Sequence, residues 1–334
     1  MSAPGGGGQL DLSGTTTWTA GTLSTSATLR NLAGGVFTLS GGNARRIENA
    51  GTLANEGTVV WTDNGGLQGF NGGVIQNRET GLFDIQNDQA AVYICCSANS
   101  TFSNRGTLRK SSGGGTTRIE WAVDNSGTID VASGTLDMAG GGVSTGAFTI
   151  QSNATLGFAG GSHSLSSASS VSGAGTLRIS GGVADFNGAV TLTNPTSQTS
   201  VTGGTANFNS QGATTTLLQI TGGTLGGVGT LTVTGAGDWS GGTMSGTGTT
   251  SIASGATWGL SGGASKRFDN GRKLDVAGTV TWTGTGNLDF FNGDAVRVLV
   301  GGLFDIRTDA AFNYICCSAG STITNLGTVR KSAG

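Results

Sequence analysis

The stretch GLFDIQNDQAAVYICCSANSTFSNRGTLRKSSG (residues 81–113) returns at residues 302–334 as GLFDIRTDAAFNYICCSAGSTITNLGTVRKSAG. The same offset holds without a gap back to Leu10, which aligns with Leu231. Roughly 45% of about 104 aligned residues are identical, so the sequence holds about one and a half units of a long tandem repeat. A period of this kind indicates a repeat architecture, in which each unit contacts mainly its neighbours.

The composition is that of an unusual but ordered protein. Gly contributes 64 of 334 residues and Pro only 2, while 35% of the residues are hydrophobic and 11% charged. The glycines follow no three-residue period, which excludes collagen, and the apolar residues come in short bursts, which argues against disorder. With a net charge of −2 and no basic stripe, we expect no nucleic-acid partner. The apolar runs are too short for membrane insertion as a helix.

The chain begins MSAPGGGGQ, which has neither the basic nor the apolar region of a signal peptide. Both ends fall inside a repeat unit, so we interpret the chain as part of a longer secreted protein and expect an extracellular or cell-surface location. We divide it into residues 1–9, disordered or introduced by cloning; residues 10–230, one full unit; and residues 231–334, the first half of a second unit that continues the first.

Short strands and turns account for nearly the whole pattern. Gly-Thr followed by an aliphatic residue recurs, as at Gly57-Thr58-Val59 and Gly106-Thr107-Leu108, and short alternating segments follow it. Such segments, bounded by Gly, predict strands of three to six residues. Repeated phrases are about 20 to 28 residues apart, which favours an all-β, right-handed parallel β-helix (β-solenoid) over hexapeptide left-handed helices.

Asparagine precedes many of these glycines. In a parallel solenoid, one position in each coil stacks on the same position of the next, and an inward Asn there can pass hydrogen bonds along the stack. We predict a structural asparagine ladder, the alternative being ordinary surface turns. Its predicted members are Asn49, Asn55, Asn77, Asn104, Asn125, Asn270 and Asn325.

The Gly-Thr-Leu phrases, the SGG and TGG turns and the long period resemble the giant repetitive surface proteins of bacteria, which include adhesins and filamentous-haemagglutinin-like or autotransporter passenger-type proteins. This resemblance covers nearly the whole chain but assigns no role to any residue. It implies a secreted β-solenoid that acts as a rod, stalk or adhesin. Glycans, host surfaces or abiotic surfaces would then be partners, together with end-to-end self-association through open strand edges.

Two vicinal cysteine pairs, Cys95-Cys96 and Cys316-Cys317, are the most unusual feature. The two pairs are about ten coils apart, roughly 50 Å, which excludes a bridge between them. Three interpretations stay open: two thiols of which one points inward and one outward, a vicinal disulfide within each pair, or a soft-metal site. The chain's single histidine, His163, lies far from both pairs in sequence.

No motif indicates catalysis, so we expect a protein that is not an enzyme and uses no cofactor or metal. The second hypothesis is a carbohydrate-active or carbohydrate-binding β-helix, which would gather acids in one groove. Its candidate acids are Asp84, Asp88, Glu120, Asp124, Asp130, Asp137, Asp305 and Asp309. The six Trp residues would either stack on sugars or fill the core, and packing is the commoner role.

Overall fold

The computed structural model describes residues 7–96, 99–317 and 319–334, and across these residues it is an all-β solenoid of about 15 turns. The described residues contain no helix, hence none that could cross a membrane. The chain forms two compact halves, residues 1–170 and 171–334. This division falls in the zone that has no second copy in the sequence, whereas the repeat boundary lies at 230/231.

The first half consists of short strands joined by tight turns. In chain order they are β1 (Gln9–Leu12), β2 (Thr15–Trp18), β3 (Gly21–Leu23), β4 (Thr28–Asn31), β5 (Val36–Leu39), β6 (Arg45–Glu48), β7 (Thr52–Asn55), β8 (Thr58–Trp61), β9 (Leu67–Phe70), β10 (Val74–Asn77), β11 (Leu82–Ile85), β12 (Ala91–Cys95), β13 (Thr101–Asn104), β14 (Thr107–Lys110), β15 (Thr116–Ile119), β16 (Ala122–Asn125), β17 (Thr128–Val131), β18 (Thr135–Met138), β19 (Gly142–Ser144), β20 (Ala147–Ile150) and β21 (Thr155–Leu165).

The strands of the second half follow the same style. They are β22 (Ser170–Gly173), β23 (Thr176–Phe186), β24 (Ala189–Leu192), β25 (Gln198–Val201), β26 (Thr205–Phe208), β27 (Ala213–Ile220), β28 (Thr224–Gly226), β29 (Thr230–Trp239), β30 (Thr243–Ser245), β31 (Thr249–Ile252), β32 (Thr257–Leu260), β33 (Lys266–Asp269), β34 (Lys273–Val276), β35 (Thr279–Trp282), β36 (Leu288–Phe290), β37 (Ala295–Val298), β38 (Leu303–Ile306), β39 (Phe312–Tyr314), β40 (Thr322–Asn325) and β41 (Thr328–Lys331).

In the first half each coil contributes one strand to each of three faces. Face 1 carries β1, β4, β7, β10, β13, β16 and β19. Face 2 carries β2, β5, β8, β11, β14, β17 and β20. Face 3 carries β3, β6, β9, β12, β15, β18 and β21. All these pairs are parallel, so the backbone of each coil bonds to the coils before and after it.

Strand register repeats with the sequence. In the first copy of the repeat (residues 10–113), Val74 pairs with Thr101, and in the second copy (residues 231–334) the equivalent residues Ala295 and Thr322 form the same pair. The second copy has the same three faces, with β31, β34, β37 and β40 on face 1. The duplicated sequence therefore folds into a duplicated register.

Coil lengths agree with the sequence prediction except at the short end. The longest step between paired residues runs from Ala91 to Ile119, at the upper limit of that prediction. The shortest runs from Ala213 to Leu231, just below the predicted lower limit. Short coils are possible because glycines in the left-handed region, such as Gly223 (φ 64°), turn the chain in few residues. Of the predicted extension at 1–9, residues 1–6 lie outside the described ranges, and Gln9 already belongs to β1.

The core is a stack of inward side chains, one layer per coil. Leu53, Ile75 and Phe102 occupy one inward column of the first half and are buried. Aromatic rings stack in the same way in the second half, where the Phe268 and Phe290 centroids lie 4.9 Å apart. Because every layer removes apolar surface from water at about 25 cal/mol per Å², coil stacking supplies the main stabilising free energy.

Candidate functional site

The first cysteine pair lies at the exposed end of β12. The Cys95 and Cys96 sulfurs are bonded to each other, and both residues are exposed. The pairing with β9 shifts register between Tyr93 and Cys95, so Ile94 is an extra residue, and its side chain is 44% exposed. Cys96 has φ 94°, a conformation that L-residues rarely adopt, and the Tyr93 hydroxyl donates a hydrogen bond to its carbonyl oxygen.

The second copy has the same arrangement. Cys316 and Cys317 form a disulfide, both are exposed, and Cys317 again has φ 94°. The Tyr314 hydroxyl donates to the Cys317 carbonyl oxygen, and Ile315 is 49% exposed. The two sites therefore share covalent structure, backbone conformation and exposure.

Of the three interpretations of the cysteines, the structure has the vicinal disulfide. The interpretation as one inward and one outward thiol is wrong, because none of the four sulfurs is free and the residues of both pairs point to solvent. In the part of the chain that the structure describes, no group of three or more His, Cys, Asp or Glu residues could hold a metal ion.

Inward asparagines form a continuous amide ladder on face 1 of the first half. Asn55 Nδ2 donates to Asn77 Oδ1 at 2.8 Å, Asn77 to Asn104 at 2.8 Å, and Asn104 to Asn125 at 2.7 Å. Each amide also donates to the backbone carbonyl oxygen of the first residue of a face 2 strand in the next coil, as Asn77 does at Thr107 (2.9 Å). Their side chains are buried, so these hydrogen bonds supply the partners that buried amides need.

The ladder contains one member that was not predicted. Asn31, in β4, donates to Asn55 Oδ1 at 2.8 Å and is the first rung. The sequence pattern missed it because Asn31 is followed by Leu-Ala-Gly-Gly and not by the Gly-Thr phrase.

Three predicted members do not belong to the ladder. Asn49 and Asn270 sit in left-handed turns, at φ 49° and 61°, and donate to Ser24 and Ser245 hydroxyls, because their strands end one residue earlier. Asn325 occupies the ladder position of β40, but its side chain is exposed and its Oδ1 accepts a hydrogen bond from the Gly327 amide. The residue paired with it is Val298, which has no amide to offer.

In the second copy the same inward column is aliphatic. Ile252, Val276 and Val298 stand where the first copy has Asn31, Asn55 and Asn77, and all three are fully buried. The column thus accepts either a connected set of amides or a set of apolar side chains.

Acidic side chains do not gather in a catalytic groove. On face 2, Arg109 lies in register between Asp84 and Asp130 and contacts the Asp130 carboxylate at 3.3 Å. The others are held by separate partners: Asp88 by Lys110, Glu120 by Arg118 and the Tyr93 amide, Asp124 by the Val143 amide, Asp305 by Arg307 and Arg330, and Asp309 by Lys331, while Asp137 is buried on face 3.

Lys110 is a buried cation within this set. Its Nζ lies within hydrogen-bond distance, 2.7 to 3.2 Å, of the Asn87 carbonyl, Asp88 Oδ1, the Ser112 carbonyl and Thr117 Oγ1. The ammonium group in turn holds the pKa of Asp88 below its usual range, mainly through this hydrogen bond. Four acceptors around one ammonium group indicate a structural ion pair.

All six tryptophans are buried, with at most 8% of the side-chain surface exposed. The Trp239 and Trp258 rings stack at 6.0 Å, inside the second half. The packing interpretation is therefore confirmed, and these rings are not available to stack on a sugar.

His163 gives the first half a pH-dependent stability. Its ring is buried against Phe158, Nε2 lies 2.9 Å from the Gly160 carbonyl oxygen, and burial lowers its pKa below 6.5. The unfolded chain binds a proton at a higher pH than the folded chain, so this stability is complete above about pH 6.5 and is lost as the pH falls through the lowered pKa. We expect the denaturant midpoint to decrease from pH 7.5 to pH 5.5, and His163→Gln to decrease less; an equal decrease would contradict the assignment.

Comparison with known proteins returned no match to any family model, curated protein or solved structure.

Proposed function

We propose that this chain is a non-catalytic structural repeat module of a long secreted cell-surface protein, in which it acts as a rod or stalk and contributes to adhesion. The observation that carries the proposal is the duplicated register: Val74–Thr101 and Ala295–Thr322 are equivalent pairs in two copies that differ at more than half of their positions. Copies that keep their strand pairing while most of their side chains change are expected of a repeat that serves as a spacer.

The side chains that could do chemistry support the same proposal. The acids are bound by arginines, lysines or backbone amides, and the tryptophans are in the core. A glycosidase needs two carboxyl groups, one of them able to donate a proton, facing a sugar. In the described residues the acids lie instead on different faces, and most are held by separate ion pairs or hydrogen bonds.

Surface location is tested on intact cells of the source organism with an antibody against the purified chain. We expect surface labelling that disappears after brief protease treatment of the cells, with a cytosolic enzyme as the control for lysis. Antigen that is found only in the soluble lysate would overturn the proposal.

One feature favours the second candidate function, carbohydrate binding. A polar groove of about 370 Å³ lies on the first half between Gln76, Arg78, Glu79, Ser103 and Arg105. Its hydrogen-bonding groups suit an acidic glycan, and the second copy replaces Arg78 and Arg105 with Leu299 and Leu326. Binding of acidic glycans on an array that is lost in Arg105→Ala would support adhesion through this groove, while cleavage of any polysaccharide would show an enzyme.

A further inference from the structure

The vicinal disulfides contribute little to global stability, which makes their presence in both copies informative. A disulfide stabilises a protein mainly by closing a loop in the unfolded chain, and the effect grows with the length of that loop. Here the bond joins neighbouring residues, at a sequence separation of 1. Their effect must therefore be local, on the backbone and surface at the end of the strand.

Several outward-facing positions changed between the copies, whereas this segment did not. On face 1 the outward residues Arg30 and Gln76 of the first copy are Ser251 and Arg297 in the second. The segment Tyr-Ile-Cys-Cys at residues 93–96 is identical at residues 314–317, and its last three residues are exposed in both copies. Packing cannot explain the retention of side chains that point to solvent, so the segment has a role at the surface.

The contacts show what the disulfide controls. It holds Cys96 at φ 94°, and this conformation presents the Cys96 carbonyl oxygen to the Tyr93 hydroxyl. The same coupling joins Cys317 to Tyr314. A non-glycine residue keeps such a φ only where the surrounding structure enforces it, and the disulfide ring is the covalent constraint that does so here.

We propose that each Tyr-Ile-Cys-Cys segment is a surface thiol–disulfide exchange site, and that its oxidation state sets the local conformation of the strand end. The co-reactant is a small thiol. Its thiolate attacks one cysteine sulfur, forming a mixed disulfide and releasing the other cysteine as a thiolate. A second thiol then attacks the mixed disulfide, so two thiols are oxidised to one disulfide while two cysteines are reduced. Reduction frees the second cysteine from positive φ and breaks the tyrosine hydrogen bond.

The chain offers a clean reporter, since Tyr93 and Tyr314 are its only two tyrosines. Protein labelled with 3-fluorotyrosine has two ¹⁹F resonances, one from each site, assigned with Tyr93→Phe. We expect dithiothreitol to shift both resonances under native conditions, and oxidised dithiothreitol to return them. Iodoacetamide should modify no cysteine before reduction and four afterwards, with unchanged circular dichroism.

The double variant Cys95→Ser/Cys96→Ser is the matched control, because it removes one ring and leaves the other. Its Tyr93 resonance should ignore dithiothreitol while that of Tyr314 still shifts. Three results would each overturn the proposal. They are alkylation of the cysteines without reductant, failure of dithiothreitol to reduce the pairs in the folded protein, and reduction that leaves both resonances in place.

Discussion

Gly106→Ala is expected to lower the free energy of unfolding by at least about 2 kcal/mol, because a single methyl group has no room in the turn before β14. An added Cβ at Gly106 would lie 2.2 Å from the carbonyl oxygen of Gly81 and 2.3 Å from that of Arg78. Both obstacles are backbone atoms of the preceding coil, so the whole turn must shift to relieve the contact. The glycine of the Gly-Thr phrase thus lets successive coils approach closely.

Gly114→Ala is the control in the same half. Nothing lies within 4 Å of its added Cβ, and we expect a change within about 0.5 kcal/mol of zero. Denaturant titration followed by circular dichroism compares the two variants on one scale. Equal effects of the two substitutions would show that the close approach at Gly106 is not a constraint.

Asn77→Val and Val276→Asn are both expected to destabilise, although each introduces the residue that the other copy uses. Valine at 77 leaves Asn104 Oδ1 without its donor and removes the donor to the Thr107 carbonyl, at a cost of about 2–4 kcal/mol. Asparagine at 276 buries an amide between Ile252 and Val298, at about 1–3 kcal/mol. In this column an amide is therefore stable beside other amides, and an aliphatic side chain beside other aliphatic side chains.

A block exchange distinguishes this explanation from simple intolerance to substitution. Replacing Asn55, Asn77 and Asn104 together by valine removes both partners of the Asn55–Asn77 and Asn77–Asn104 hydrogen bonds. The triple change should therefore cost clearly less than three times the single Asn77→Val change. Chemical denaturation of the single and triple variants measures the coupling. Strict additivity would mean that the amides do not act as a connected ladder.

The fold was predictable from the sequence because its signals are local and repeated. Gly-bounded alternation gave strands, and the spacing of phrases gave coils, since one coil must return to the same face before it can pair. The vicinal position of Cys95 and Cys96 was likewise enough to exclude a bridge between copies and to identify a disulfide as one of three alternatives.

Membership of the ladder was only partly predictable, for a non-local reason. Asn49 and Asn55 each have an apolar residue two positions earlier and a Gly two positions later. Only strand pairing separates them: β7 begins with the outward Thr52 and reaches its fourth residue inward at Asn55, while β6 begins with the inward Arg45 and ends before Asn49. Burial of Lys110 was not predictable for a similar reason, because its acceptors Asn87 and Asp88 lie more than 20 residues away and only the fold brings them to it.

The shared register has a consequence for the gene. Because Val74 pairs with Thr101 as Ala295 pairs with Thr322, unequal crossing-over between the two copies joins a strand to an equivalent successor wherever the exchange occurs. In a product that lost residues 100–320, Thr322 would pair with Val74 as Thr101 does in the present chain. Every remaining residue would stay on its own face of the solenoid. Recombination can thus change the number of coils in whole-repeat steps without shifting any strand to another face of the solenoid.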